Sequence, residues 1–382
     1  MLAANLDLQD KTGIILEGSS RLGSKLLMSG GGHCNITHGG SIKDFLKAYG
    51  DVGKSLRKCL YRHSNLDLIR WFEAHGVKLV EKEGRVFPET MKSIDVLDAL
   101  LKEAGNNHWR IETDCKVTGL GAAGNDCRDI LLSEHGGISA RSIVIATGGI
   151  TYPETGSDGS MLRLLSEHGI GVSELHPALA PVYVIDYPYS GLSGISVPDV
   201  TVTCTKADGG KDKNQIMTGD LLFTHDGFSG PVILNISKHA KPGAKIGLNY
   251  NKELAELPRR MQAILKERAR GPSGDVRTSV LSALLNHDNF VVSHVDSRGM
   301  VTSGGVSLDE IDLTTMRLKR LSVGSSGMHN TADVFVIGEV IDADGITGGY
   351  NLQLCWSTAC AAADALKSKM FKDGYDAKEY NT

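Results

Sequence analysis

No apolar run in this chain approaches the ~20 residues that a membrane-spanning helix needs, which excludes such a helix from its plan. No signal peptide is visible at Met1. No CxxC pair occurs; the seven cysteines, Cys34, Cys59, Cys115, Cys127, Cys204, Cys355 and Cys360, are odd in number and scattered. That pattern excludes a disulfide framework and fits free thiols in a reducing, cytoplasmic compartment. An excess of either charge is missing too. Lys and Arg total 41 against 45 Asp and Glu, a net charge of -4, so nothing points to nucleic acid or an anionic membrane as a partner. No internal repeat, low-complexity tract or long linker interrupts the 382 residues. A chain of this length can form about two or three domains with a large core. Nothing in it fixes an oligomeric state.

Glycine, by contrast, is abundant: 45 residues, gathered in "SGGGHCN", "ATGG", "TGSDGS", "SGG" and "GITGGYN". Such clusters let the backbone take positive φ or approach a ligand closely. Several of them in one chain suggest an extended ligand held mainly by main chain.

The opening reads as the tail of a helix, Met1 to about Asp10, followed by a strand, "GIILE", that ends at Glu17. Residues 64–76 read as a helix capped by Ser64 or Asn65, striped by Leu66, Ile69 and Phe72, and stopped by Gly76. "KLVEKEGRVFPE" reads as a hairpin turning at Glu83-Gly84, and 93–105 as a second amphipathic helix. Short strands follow from Cys115, ending in Ile143–Ala146, an apolar run of the kind a buried parallel strand shows. From Pro181 to Leu248 alternation predicts antiparallel strands or a small barrel, and 252–286 look helical. Near the C-terminus, "DVFVIGEV" reads as a second buried strand, and a long helix begins about Tyr350. Both chain ends are therefore expected in one sheet, with the middle inserted as a second module.

Three stretches carry chemistry. Glu17 stands where a dinucleotide-binding fold places the acidic residue that binds a ribose hydroxyl, although a lone glutamate after a strand serves equally as surface. The loop 19–38 sets Arg21 and Lys25 beside Ser29, Gly30, Gly31, Gly32, Cys34 and Asn35. Main-chain N–H groups of such a loop form an anion-binding nest with two cations nearby. His33, Cys34 and His38 lack a second ligand cluster at zinc spacing, so no metal is expected there. Cys34 is a small buried residue or, alternatively, a redox thiol. At 338–353 three carboxylates, Glu339, Asp342 and Asp344, and several glycines precede the helix start at Tyr350–Gln353, whose N–H groups and dipole favour negative charge, such as that of a reduced flavin. A calcium loop at 342–345 is rejected, because Gln353 occupies the place of its glutamate.

"KLLMSGGGHCNIT", "EGRVFPE", "IVIATGGITYPETGSDGS", "HPALAPV", "LLFTHDGFSGP", "VTSGGVSLDEI" and "IGEVIDADGITGGYNLQ" occur in one order across nearly the whole chain. In this the sequence resembles the aminoacetone-oxidase-like family of FAD-dependent oxidoreductases, which includes a bacterial 3-dehydro-bile-acid Δ4,6-reductase. The resemblance implies an α/β fold: a split, Rossmann-like FAD-binding domain (1–180 and 331–382), an inserted β-barrel for substrate (181–250 and 287–330) and a helical insertion (251–286). It implies FAD held by Glu17, by Arg21, Lys25, Ser29–Gly32, Cys34 and Asn35, by Thr147, Gly148 and Gly149, and by Gly338, Glu339, Asp344, Gly348, Gly349, Tyr350, Asn351 and Leu352, with Val117 at the adenine.

The activity implied passes hydride from a reduced nicotinamide, NAD(P)H, through FAD to an unsaturated or carbonyl-conjugated small molecule. His225 and Tyr350 are candidate proton donors, each equally readable as structural. Alternatives are a flavin oxidase that uses oxygen and a non-catalytic remnant. Departures from the family are His33 in place of an arginine, Arg317 to Lys319 in place of "ESK", and an insertion at "RLSVGSSGMHNTAD". The family also begins with a strand and glycine turn that would precede Met1. The chain is therefore expected to be N-terminally truncated and to hold FAD weakly.

Overall fold

The computed structural model describes residues 1–124, 127–132, 136–205, 214–251, 254–268, 270, 288–319 and 333–379. It divides into two compact units, Met1–Leu175 with Thr302–Thr382, and His176–Val301.

In the first unit, apolar runs become parallel pairs. Gly13–Leu16 pairs in parallel with Trp109–Glu112. Ser142–Ile145 pairs in parallel with Asp333–Val336, whose residues are all buried. That pair lies at one side of a four-stranded sheet completed by Arg317–Leu318 and Ile311–Asp312. Both predicted apolar strands thus lie side by side although about half the chain separates them. Val117–Gly124, Cys127–Leu132 and Gly137–Ala140 form an antiparallel three-stranded sheet. Leu79–Lys82 and Arg85–Pro88 form the expected hairpin, with Glu83 and Gly84 both at positive φ, and Thr37–His38 joins its outer side.

The helices follow their end signals. Asn65–Ala74 is capped by Ser64, which shares a full capping box with Asp67. Ser93–Asn106 is the second amphipathic helix. Tyr350–Glu379 closes the chain. The opening differs from expectation: only Ala3–Asn5 is helical, as one 3-10 turn. Leu6 and Leu8 are both buried at a spacing of two, which a helix cannot place on one face. Tertiary bonds hold the segment instead, from Trp109 Nε1 to Leu6 O, Asn107 Nδ2 to Ala3 O and Leu8 N to Asn107 O.

The unit's main core gathers Phe45, Tyr49, Leu56, Leu165, Val336 and Leu354. A second cluster joins Cys34, Ile36, Phe72, Val96 and Trp356. Beside it the Trp71 ring stacks on His75 at 4.0 Å and lies 5.2 Å from the Trp356 ring.

The second unit is a closed six-stranded barrel, in spatial order Val182–Val184, Gly227–Ser229, Gln215–Phe223, Ser196–Thr205, Lys245–Asn249 and Asp288–Val295. Alternation sets the faces: Val200, Val202 and Cys204 point inward, while Thr201 pairs with Thr218 outside. Phe223, Phe228, Phe290 and Tyr189 fill the interior with ring centroids 5.0–5.8 Å apart. The helix Arg259–Arg268 buries Met261 and Leu265 against this core. Of the expected helical region, 252, 253, 269 and 271–286 lie outside the described residues, as does most of the expected insertion, 320–332. Among the described residues no helix is long and apolar enough to cross a membrane.

Candidate functional site

The site is built in the first unit, from strand ends and from glycine turns that hold each other. Gly13–Leu16 delivers Glu17, whose N–H donates to Glu112 O at 2.9 Å. Glu17 Oε1 accepts from the Ser19 N–H at 2.9 Å and from Ser19 Oγ at 2.8 Å, while Oε2 has no hydrogen-bond partner among the described residues. A carboxylate fixed through one oxygen, with the other open, suits a hydroxyl donor. Arg21 nearby is exposed, and its carbonyl accepts from Ser19 Oγ and Ser24 Oγ.

The short helix Ser24–Met28 then presents Lys25. Its ammonium reaches Glu339 Oε2 at 2.7 Å, Glu339 Oε1 at 3.0 Å and Thr151 Oγ1 at 2.9 Å. The Thr302 N–H donates to Glu339 Oε1 at 2.7 Å, and Thr302 Oγ1 accepts from the Ile150 N–H at 2.7 Å. The network ties the Ser142–Ile145 strand end to the turn after Asp333–Val336, and its ion pair is only partly screened by water. Gly149 must be glycine, because a Cβ there would overlap the Thr302 side chain. Gly148 sits between Ser157 and Glu339, and Gly156 of the same loop faces Glu17. Thr147 is exposed at the strand end.

After Lys25, Ser29 Oγ donates to Leu26 O, and Gly30, Gly31 and Gly32 run at φ 57°, 66° and 90°. Three consecutive left-handed glycines leave this backbone uncovered: nothing stands within 4 Å of a Cβ added at Gly31, and only Leu27 O at 4.0 Å from one at Gly32. Asn35 then joins this loop to the other glycine turn. In its satisfied orientation its amide donates to Thr37 O at 2.8 Å and accepts from the Gly349 N–H at 3.0 Å. Behind it, buried Thr37 donates to Gln353 Oε1 at 2.6 Å. Asn351 closes its own turn with two bonds to Gly345. Gly338 donates its N–H to Thr358 Oγ1, and buried Asp344 accepts from Ser303 Oγ.

The structure thus brings together Glu17, Lys25, Gly30–Gly32, Asn35, Gly148, Gly149, Gly338, Glu339, Gly348 and Gly349. Other expected residues face elsewhere. Cys34 is fully buried and burial pushes its thiol up to about 11, so it stays protonated at neutral pH. The Leu352 side chain packs in the same cluster. The Tyr350 ring lies in the main core, stacked on His38 at 5.0 Å, with Phe45 and Tyr49 at its edges; burial raises its hydroxyl above the usual range. Val117 is half-buried at its strand start. His33 bonds to Met91 O. His225 is exposed on the turn between two barrel strands, in the second unit. Sequence reading missed Thr151, Ser157 and Thr302; the only signal for Thr302 was the "SGG" cluster that follows it.

Set against FAD, these residues fit. A glycine nest without side chains suits phosphate oxygens, and the open oxygen of Glu17 suits a sugar hydroxyl. Glu339, anchored by Lys25 at 2.7 Å, offers a second fixed carboxyl group.

The chain matches the HI0933-like protein Rossmann domain over residues 1–365. It is 28% identical over 398 residues to the ribosomal RNA dihydrouridine synthase of Haemophilus influenzae, covering 94% of each protein. It is 24% identical over 393 residues to the 3-dehydro-bile acid delta(4,6)-reductase of Clostridium scindens, covering 92% of this chain and 91% of that one. Among solved structures it resembles the 3-ketosteroid delta1-dehydrogenase of Sterolibacterium denitrificans, with a TM-score of 0.50, 12% identity, and coverage of 96% and 97%. The FrdA subunit of E. coli quinol fumarate reductase also gives 0.50, at 13% identity, with 95% of this chain and 67% of that one covered. The fold is a Rossmann-like, FAD-binding α/β fold accompanied by a six-stranded barrel.

Proposed function

The chain belongs to the HI0933-like Rossmann-domain family, an FAD-dependent oxidoreductase family, and we propose that it reduces a carbon–carbon double bond conjugated to a carbonyl, with NAD(P)H as electron source. The observation that supports this reading is the joining of the 29–35 and 345–353 loops through the Asn35–Gly349 bond, together with the Lys25–Glu339 pair that joins the helix before the first loop to the turn at 338–340.

The substrate class follows from chemistry shared by two relatives. Dihydrouridine is a uracil ring saturated at a double bond conjugated to its carbonyl. A delta(4,6)-reductase acting on a 3-dehydro bile acid removes the same kind of unsaturation. The likeness to the second of these names supports the bile-acid-reductase-like branch, and the like match to the first keeps a uracil ring within the same class.

FAD, when bound, supplies the two-electron chemistry. The chain's own residues do the rest. The glycine loop would take the phosphates through N–H groups, Glu17 would accept from a ribose hydroxyl, and Lys25 keeps Glu339 aimed. Completing the saturation needs a proton. The ring of Tyr350 is packed against three others, His38, Phe45 and Tyr49, which suits support of the neighbouring turn. His225, being exposed, is the donor to test.

The test is anaerobic. Purified protein is expected to bind FAD, and NADH or NADPH to bleach its visible absorbance. A steroid 3-oxo-4,6-diene or a uridine-containing RNA is then expected to restore the colour. Oxygen alone restoring it with stoichiometric peroxide would make the protein an oxidase. No flavin uptake at any concentration would sink the reading. Unchanged turnover in His225→Ala would remove that residue.

A further inference from the structure

The chain passes between its two units twice, leaving the first after Leu175 and re-entering it at Thr302. Within the first unit, both passages are fastened to one short segment, 338–344, the segment whose start faces the proposed cofactor site.

The return passage comes first. Its Thr302 N–H donates to Glu339 Oε1, and Ser303 Oγ donates to Asp344 Oδ1 at 3.0 Å. The backbone then zips against the same segment, Val306 N donating to Val340 O at 2.8 Å and Asp342 N to Val306 O at 2.9 Å. Gly305 fits this approach at φ 146° with no room for a side chain against Val340 O. The outgoing passage is paired with the returning one. Ser173 N donates to Gly305 O at 2.8 Å and Ser307 N to Gly171 O at 2.9 Å, while Ser173 Oγ donates to Asp342 Oδ2. Three successive acidic side chains, Glu339, Asp342 and Asp344, therefore each hold one residue of a passage. Asp344 is 8% exposed, and Glu339 also carries the ion pair to Lys25.

We propose that Glu339, Asp342 and Asp344 form a clasp that couples occupancy of the flavin site to the order of the two passages at 171–175 and 302–306. The inference rests on the flavin-binding reading above. Its physical basis is that one rigid segment serves both ends: a ligand that fixes Gly338 and Glu339 also fixes the residues bonded to 340–344. Coupling between two sites is reciprocal, so loosening the passages must weaken the ligand by the factor with which the ligand tightens them. Ser173 and Ser303 act as positioning residues, through the carboxylates they hold.

The experiment uses the full chain and FAD as probe, with two readouts. The first is amide hydrogen exchange at 171–175 and 302–306 with and without FAD. Exchange there is expected to slow about tenfold on loading, the size of a modest coupling. The second is FAD affinity, by quenching of flavin fluorescence, in the double variant Ser173→Ala/Ser303→Ala. It is expected to fall about tenfold, and to return within about twofold in Ser173→Thr/Ser303→Thr, which keeps both hydroxyls. Wild-type protein that binds FAD with unchanged exchange in both passages overturns the clasp and leaves the flavin reading standing. A double alanine variant that binds FAD as wild type does the same. Wild-type protein that takes up no FAD overturns both.

Discussion

The two units hold themselves together in opposite ways. The barrel is a closed ladder, so its strand backbones pair with one another and its interior is left to apolar side chains, aliphatic and aromatic. The first unit breaks its sheets into short pieces, and at the site the backbone is held by side chains: Asn35 on Gly349, Thr302 on Ile150, Glu339 on Thr302. A barrel wall is stable without a ligand to complete it. A set of glycine turns pinned by side chains leaves backbone uncovered, as at Gly31, where nothing stands within 4 Å of an added Cβ, and such backbone can approach a bound phosphate closely. The difference separates where this chain keeps stability from where it keeps chemistry.

Substitution can sharpen that division, and the largest effect is expected in the barrel. Phe228 is fully buried and meets the rings of Phe223, Phe290 and Tyr187. Phe228→Ala should cost about 3–5 kcal/mol in urea unfolding, while FAD affinity of the folded fraction stays at the wild-type value. A weakened affinity would break the division. Next comes Lys25→Met, which strands a partly buried carboxylate. With side-chain exposures of 26% and 17% for Lys25 and Glu339, the cost should be about 1–2 kcal/mol, below the ~3–5 of a fully buried pair. FAD affinity should fall with it, and an unchanged affinity would take Glu339 out of the site.

Gly31→Ala should cost about the same in stability and more in binding. No atom lies within 4 Å of the added methyl, so only the left-handed φ of 66° is strained, at about 1–2 kcal/mol. The nest should distort and flavin affinity should drop; equal losses in both measurements would make the loop merely structural. The smallest effect is acid dependence at Asp158. Burial works against its charge, but bonds from Lys116 and Ser160 outweigh it and hold the carboxyl down to about 2. A depressed carboxylate stabilises the fold above its unfolded pKa of about 4 and loses that contribution as pH falls toward the folded value. Lys116→Met should therefore flatten the stability curve between about pH 4 and 2 relative to wild type; curves of identical shape would show the pair to be inert.

Local chemistry was legible from sequence wherever neighbours in the chain decide it. Ser64 with Asp67 announces a helix start, Glu83-Gly84 a tight turn, and the alternation of Val200, Val202 and Cys204 a barrel wall. The apolar runs at 143–145 and 333–336 each announced a buried strand, because only a buried strand is apolar on both faces. The expectation that both chain ends share one sheet failed: Gly13–Leu16 pairs with Trp109–Glu112 in a separate two-stranded sheet, a partner choice that no local pattern encodes. The opening failed because its leucines answer to Trp109 and Asn107 rather than to a period. The clustering of glycines showed where backbone would be exposed. It could not show what would hold that backbone. Lys25 and Glu339 stand 314 positions apart, Thr37 and Gln353 316, and no spacing rule spans such distances. The shift in strand register between Val197 and Val200 was equally hidden, since a bulge leaves the alternation on either side intact.

One arrangement has a practical consequence. The chain has three tryptophans, Trp71, Trp109 and Trp356, and all of them lie in the first unit. Excited at the red edge of protein absorption, indole emission is silent about the barrel. Trp71, sandwiched near His75 and Trp356, and Trp109, tied to Leu6 O, are native dyes for one half of the molecule. Circular dichroism hears both halves, so a melt in which the two signals part company would time the collapse of each without any label being added.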